Sequence, residues 1–176
     1  MAYPMQAPVT DCPVSIADEA AVQLRFRDAM AQVVAPVTVI TTVDGDRVHG
    51  TTVSAFMSLS MSPPMVVVSL DRKSELLSLV QRTRAFGVNV LAADQGHIAL
   101  AFAKKSGDRF ADLAWHMEDG LPCVDGVAGW VACDLVDGFA GGDHILLTGA
   151  VRGVRAEPLA PLSYHARTFG THVCPG

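Results

Sequence analysis

The period of the apolar positions changes several times along the chain, and each change marks an element. Val22, Phe26, Met30 and Val33 recur at helical spacing opposite Glu19, Arg25 and Asp28. This predicts a first helix that opens at Ser15, with Asp18 three residues on, and stops before Pro36. From Val37 the period falls to two, with Val37, Val39, Thr41 and Val43 on one face, and Asp44-Gly45 supplies a hairpin turn. The return run Val48 to Phe56 is β-branched but rich in hydroxyls, and hydroxyls continue at Ser58, Ser60 and Ser62 before Pro63-Pro64. Met65–Leu70 reads as a further strand, 74–82 as a second helix on Leu76, Leu79 and Val80, and Phe86–Leu91 as a strand. Asp94 is the expected cap of a third helix that buries Ile98, Ala101 and Phe102 and carries Lys104-Lys105 at the negative end of its dipole. After a polar loop at 106–112 the remainder reads as β, with strands expected at 114–118, 128–136 and 145–155 between glycine turns.

That order is not a regular βαβ alternation, so a doubly wound sheet is disfavoured and a small antiparallel barrel with peripheral helices is favoured. Residues 1–14, with three prolines and no period, are expected to be a flexible leader, and 15–172 a single domain. Half of the 176 residues are apolar and mean hydropathy is +0.32, enough to bury a core. No apolar run approaches the ~20 residues that span a bilayer, and no secretory signal is visible at the N-terminus. A cytoplasmic location is therefore expected. The net charge of −5, with basic residues scattered, argues against nucleic acid or an acidic membrane as partner. Cys12, Cys123, Cys133 and Cys174 form no CxxC pair and have no histidine at zinc-finger spacing, so no metal is expected and reduced thiols are the default.

Three stretches could carry chemistry. In Gly50–Pro64, hydroxyls stand where a buried strand would carry aliphatics. A planar heteroaromatic ligand edged with carbonyls and ring nitrogens, followed by a polyol and a phosphate, would use them, and so would a Thr/Ser-rich edge strand facing water. Gly142-Asp143-His144 precedes an expected strand, either as a positioned histidine or as a self-capped turn. Tyr164-His165 and Arg167, with Phe169, follow Pro158 and Pro161 and suit either a second binding wall or a tail latch. No GxGxxG, P-loop, nucleophile elbow or carboxylate pair is present, which weakens Rossmann, P-loop and hydrolytic readings.

In chain order, GTTVSAFMSLSMSPPMVVVSL, ALAFAKKSGDRFADLAW, GDHILLTGAV and PLSYHARTF resemble the short-chain flavin reductases of two-component flavin-dependent monooxygenases, over about Phe26 to Phe169. The resemblance implies an FMN-binding split β-barrel of antiparallel Greek-key type, mainly β with peripheral helices, and a homodimer. It implies hydride transfer from NADH or NADPH to FMN or FAD, bound loosely or as a cosubstrate, with free reduced flavin passing to a separate monooxygenase. By the same matching, Thr51, Thr52, Val53, Ser54 and Ala55 lie against the flavin ring, and Ser60, Asp71 and Ser74 near its ribityl chain and phosphate, joined by Phe102, Ala103 and Lys105. Gly142, Asp143, His144, Tyr164, His165 and Arg167 fall on the nicotinamide side, with His144 as the expected catalytic group. Two other classes use the same residues: a flavin- or haem-binding barrel without catalysis, and a subunit that only docks to an oxygenase.

Overall fold

The computed structural model describes residues 16–104 and 107–172. The chain divides into two units, one ending at Val33 and one beginning at Val34. The described part of the first is a single helix, α1 (Ile16–Ala31), with Asp18 and Glu19 in its first turn, where the helix dipole favours negative charge. It stops short of Pro36 as expected, and leaves Leu24, Phe26 and Met30 exposed. The expected cap Ser15, the 1–14 leader, Cys12 and Cys174 lie outside the described residues, as does Lys105.

The second unit is mainly β. A short β1 (Ala35–Pro36) is followed by β2 (Thr38–Asp44), β3 (Arg47–Val53), β4 (Phe56–Met61) and β5 (Pro64–Asp71). Then come α2 (Glu75–Thr83), β6 (Ala85–Val90), α3 (Gly96–Ala103), β7 (Trp115–Glu118), β8 (Leu121–Val124), β9 (Gly129–Gly141), β10 (His144–Ala156), β11 (Leu162–His165) and β12 (Thr168–Thr171). Seven strands form one antiparallel sheet in the order β3-β2-β6-β9-β10-β5-β4. Its two ends, β3 and β4, are consecutive in the chain, so the sheet must roll back on itself. It does not close. Ala55 between them accepts a hydrogen bond from the Ser69 N–H of β5 at 2.9 Å, but β3 and β5 form no ladder among the described residues.

The rolled sheet encloses one apolar cluster. Ile40, Val53, Val68, Phe86, Leu135 and Leu147 belong to it, drawn from six strands, and α2 adds Leu76, Leu77 and Val80. A second cluster on the other side of β2 and β9 joins Val39 and Trp130 to Ile98 and Phe102 of α3 and to Leu121 and Cys123 of β8. β2 is therefore buried on both faces, which overrides the simple alternation its sequence suggests. The threonines this traps are satisfied: the hydroxyls of Thr38, Thr41 and Thr42 donate to the carbonyls of Val53, Pro122 and Ala85 at 2.6, 2.6 and 2.8 Å.

Several local expectations are corrected. Gln95 rather than Asp94 precedes α3; its amide accepts from Ala92 N–H at 3.0 Å and donates to the Asp125 carbonyl at 2.8 Å, tying the helix start to the loop after β8. β8 was not expected, since Pro122 interrupts its pattern; Asn89 holds it by accepting from Val124 N–H at 2.7 Å. β9 and β10 are each 13 residues long and pair through two register shifts, where the first expectation stopped at 136. The C-terminal stretch forms the hairpin β11–β12, laid on β1 as a three-stranded sheet.

Candidate functional site

The split between β3 and β5 opens into a cleft of about 320 Å³, lined by Thr51, Thr52, Val53, Ser54 and Ala55 on one side and by Ser69, Leu70, Asp71, Ser74 and His144 on the other. β3 is an edge strand, so its outer side has no ladder partner; Arg109 takes the Gly50 carbonyl there, and the stretch beyond it faces the cleft. Facing them, β10 begins opposite the end of β5, with His144 in register with Asp71. The β9–β10 turn is fixed there by Arg72, whose backbone N–H donates to the Asp143 carbonyl at 3.0 Å and whose Nε donates to the Gly142 carbonyl at 2.8 Å. His144 Nδ1 pairs with Asp143 Oδ1 at 2.8 Å, and that bond holds the Asp143 carboxyl below the usual range.

The hydroxyls do not all behave as the sequence suggests. Thr51 donates to the Phe102 carbonyl at 3.3 Å and Thr52 to the Ala99 carbonyl at 2.6 Å, so these side chains fasten α3 to β3. Ser54 is exposed in the cleft, and Val53 is buried in the barrel core, so its side of the cleft is backbone. The Phe102 ring is fully buried, edge-on to Phe110 at a centroid distance of 5.0 Å and packed beneath Gly50 of β3, so it lies behind the strand and does not line the ring cleft. Ser60 stands apart on β4, where its hydroxyl accepts from Ser62 N–H at 3.3 Å.

Two neighbouring clefts continue from the first. One of about 400 Å³ shares Thr51, Asp71 and Ser74 with it and adds Lys73, Ala103, Lys104 and Arg109. Arg109 was missed by sequence reasoning, because it lies in a polar loop with no period. It donates to the carbonyls of Gly50 at 2.6 Å and Lys104 at 2.5 Å, joining the end of α3 to β3. Beside it, His49 is held below its ordinary value by burial, against the pull of Glu75 at 3.9 Å. The other cleft, about 270 Å³, lies across Thr52 and Ser54 and is apolar, walled by Val37, Leu100, Tyr164 and Phe169. Tyr164 and Phe169 meet edge to face at 5.4 Å across the β11–β12 hairpin. His165 and Arg167 sit at the exposed end of that hairpin and line none of these three clefts.

Away from the groove, His116, Glu118 and Cys123 bring ligand atoms within 4.8 Å of one another. Arg155 already fills that role: its guanidinium pairs with Glu118 at 3.0 Å and reaches Cys123 Sγ at 3.5 Å. Burial pushes the Cys123 thiol up to about 12, which leaves it protonated and inert. Cys133 is likewise pushed up to about 12 by burial.

The groove suits a flavin. An open strand edge offers N–H donors to ring carbonyls, an exposed serine hydroxyl lies beside it, and cations sit one cleft further on, where a phosphate would arrive. Comparison with known proteins gives the family. The family model described as a flavin reductase like domain matches residues 30–172. The reductase component of 4-nitrophenol 4-monooxygenase/4-nitrocatechol 2-monooxygenase from Rhodococcus opacus is 33% identical over 148 residues, covering 84% of this chain and 80% of that one. An NADH-dependent flavin reductase from a Rhodococcus species is 32% identical over 151 residues, covering 83% and 84%. Among solved structures, nitrilotriacetate monooxygenase component B from Mycobacterium thermoresistibile superimposes with a TM-score of 0.84 at 30% identity, covering 88% of this chain and 89% of that one.

Proposed function

Since the chain belongs to the flavin reductase-like family, we propose that it is an NAD(P)H:flavin oxidoreductase that binds FMN or FAD in the β3–β5 split and releases it reduced to a separate monooxygenase. The observation that carries this reading is the open β3 edge at the site where the barrel fails to close, flanked by a cationic cleft on one side and an aromatic one on the other. A bound flavin would supply the hydride-accepting ring, with negative charge developing on its pyrimidine edge.

The protein's share is positioning. Backbone N–H groups of 51–55 and the Ser54 hydroxyl would orient the ring and stabilise charge on its pyrimidine edge. Lys73, Lys104 and Arg109 would hold the phosphate. The Tyr164–Phe169 wall, with Leu100, gives an apolar surface on which a nicotinamide could stack while water is kept out. His144, oriented by Asp143, sits at the mouth of the ring cleft and places the nicotinamide amide or a proton. None of these side chains has to act as a strong base, which fits a hydride transfer.

Homodimer formation is part of the same proposal. Met57 and Met61 on β4, Phe139 on β9 and Leu146 on β10 are exposed, and Leu146 is in register with Phe139 across the sheet. A second copy covering this surface would bury apolar side chains that a lone chain leaves in water. Light scattering distinguishes twice 18.6 kDa from a monomer. The function is tested by steady-state oxidation of NADH and NADPH with FMN, FAD and riboflavin in turn. Flavin-dependent turnover supports the reductase; a protein that holds a fixed stoichiometric flavin through dialysis and is not stimulated by more would be a carrier instead.

A further inference from the structure

The turn that presents His144 has little of its own to hold it. Gly141 and His144 are the last ladder pair of β9 and β10, so Gly142 and Asp143 form a two-residue turn, with a φ of +64° at Gly142. The Asp143 side chain is 90% exposed, and a Cβ built on Gly142 would meet no atom within 4 Å, so packing does not fix these two residues. Their carbonyls lie outside the β9–β10 ladder and are open to other donors. A single residue supplies both. Arg72 gives its backbone N–H to the Asp143 carbonyl at 3.0 Å and its Nε to the Gly142 carbonyl at 2.8 Å. Where that residue stands makes the grip consequential. Arg72 lies in the β5–α2 connection, which is itself tightly folded: Asp71 accepts from Lys73 N–H at 2.7 Å through Oδ1 and from Ser74 N–H at 2.9 Å through its carbonyl. Asp71 and Ser74 line the ring cleft together with His144, and Lys73 lines the cationic cleft, whereas Arg72 lines neither. Its side chain bonds the hairpin, not the groove.

We propose that Arg72 is a positioning residue for hydride transfer: by tying both turn carbonyls to the loop that lines the clefts, it sets where His144 stands over the ring cleft. The inference rests on the reductase reading for the role of His144, and adds the residue that holds it in place. What the grip needs is a donor at the reach of Nε, not a positive charge. Glutamine carries an N–H donor the same number of bonds from the backbone, and methionine has a methyl group there. The backbone bond to the Asp143 carbonyl survives both substitutions, and Arg72 is exposed, so neither variant disturbs the core.

The experiment compares Arg72→Met, Arg72→Gln and the unaltered chain in two ways. The first needs no flavin: amide 15N relaxation of residues 142–144. Order parameters near the rigid value of about 0.85 should fall below about 0.6 in Arg72→Met and stay high in Arg72→Gln. The second is the anaerobic reductive half-reaction in stopped flow, with the flavin and nicotinamide that support turnover of the unaltered chain. Arg72→Met should slow hydride transfer about tenfold at unchanged flavin affinity, the worth of one charge-assisted hydrogen bond, and Arg72→Gln should stay within about twofold. In a His144→Ala background Arg72→Met should slow the reaction no further, because the arginine acts through the histidine. Three results overturn the proposal: a turn as rigid in Arg72→Met as before, glutamine as slow as methionine, or a loss in the His144→Ala background equal to that in the unaltered chain. Flavin affinity that falls in step with the rate also overturns it, by making Arg72 a flavin contact. No flavin-dependent oxidation of NADH or NADPH by the unaltered chain removes the reductase reading instead, and the relaxation data then report the grip alone.

Discussion

Gly50 sits where the strand that carries the candidate ring cleft passes closest to the helix behind it. A Cβ built there would lie 2.8 and 3.1 Å from Cε1 and Cδ1 of Phe102 and 3.2 Å from the Ile40 carbonyl oxygen. The ring has no room to retreat. Phe102 is fully buried, braced edge-on by Phe110, which is itself braced by Trp115 at 5.3 Å. Gly50→Ala therefore forces β3 and α3 apart, an overpacking change that costs about 1–3 kcal/mol. For a chain of this length that lowers Tm by roughly 2–12 °C. Because Thr51 and Thr52 hang their hydroxyls on the carbonyls of Phe102 and Ala99, the same displacement moves the 51–55 edge, and flavin affinity should fall with Tm. Thermal melts by circular dichroism and flavin titration read the two effects. Phe102→Leu in the Gly50→Ala background should restore part of both, with a coupling of about 0.5–3 kcal/mol in the double-mutant cycle. Unchanged Tm and affinity in Gly50→Ala, or strict additivity with Phe102→Leu, would refute the account of β3 wedged against that ring.

Ser54→Leu places bulk in an exposed position of the ring cleft, so it should weaken flavin binding with no loss of Tm; a sharp fall in Tm at unchanged affinity would return Ser54 to the core. His144→Ala should leave flavin affinity nearly intact and slow the reductive half-reaction in stopped flow, whereas unaltered rates and nicotinamide affinity would make the Asp143–His144 pair a turn device only. His116 is raised above its ordinary value by its hydrogen bond to Asp125 and then by that to Glu118, so its protonated form favours the folded β7–β8 hairpin. Its contribution is fully present below the ordinary histidine value of about 6.5 and is lost as pH rises through the raised folded value. The side chain is half exposed, so the effect is small, but His116→Gln should flatten Tm against pH across that window; a profile that keeps its slope would show that another group sets it.

Most of the elements were legible because their periods were clean. The β2–β3 hairpin follows from Asp44-Gly45, α2 from Leu76, Leu79 and Val80, and the antiparallel architecture from the absence of alternating helices. The short strands were not, since four residues containing Pro122, or a tail preceded by Pro158 and Pro161, carry too little pattern to rise above a loop. Thr51–Ala55, Asp71, Ser74 and His144, all assigned by resemblance, do share one cleft. What the chain could not announce is where hydroxyls go. Thr51 and Thr52 look like ligand contacts along the sequence, and only folding brings α3 carbonyls within their reach. Arg109 was hidden for a related reason: its partners Gly50 and Lys104 are 59 and 5 residues away, and a loop arginine has no period to betray it.

The unpaired edge of β3 also bears on the life of the protein between turnovers. A strand with no ladder on one side is a template for any other extended chain, and beyond Arg47 and the Arg109 bond to Gly50 nothing in 51–53 is proline or charged to blunt it. A ligand lying along that edge occupies the groups that a foreign strand would use. If flavin lies there it would double as a solubility factor: chains made faster than flavin is supplied should clump edge to edge, and riboflavin-fed cultures should yield more dispersed protein from the same gene dose.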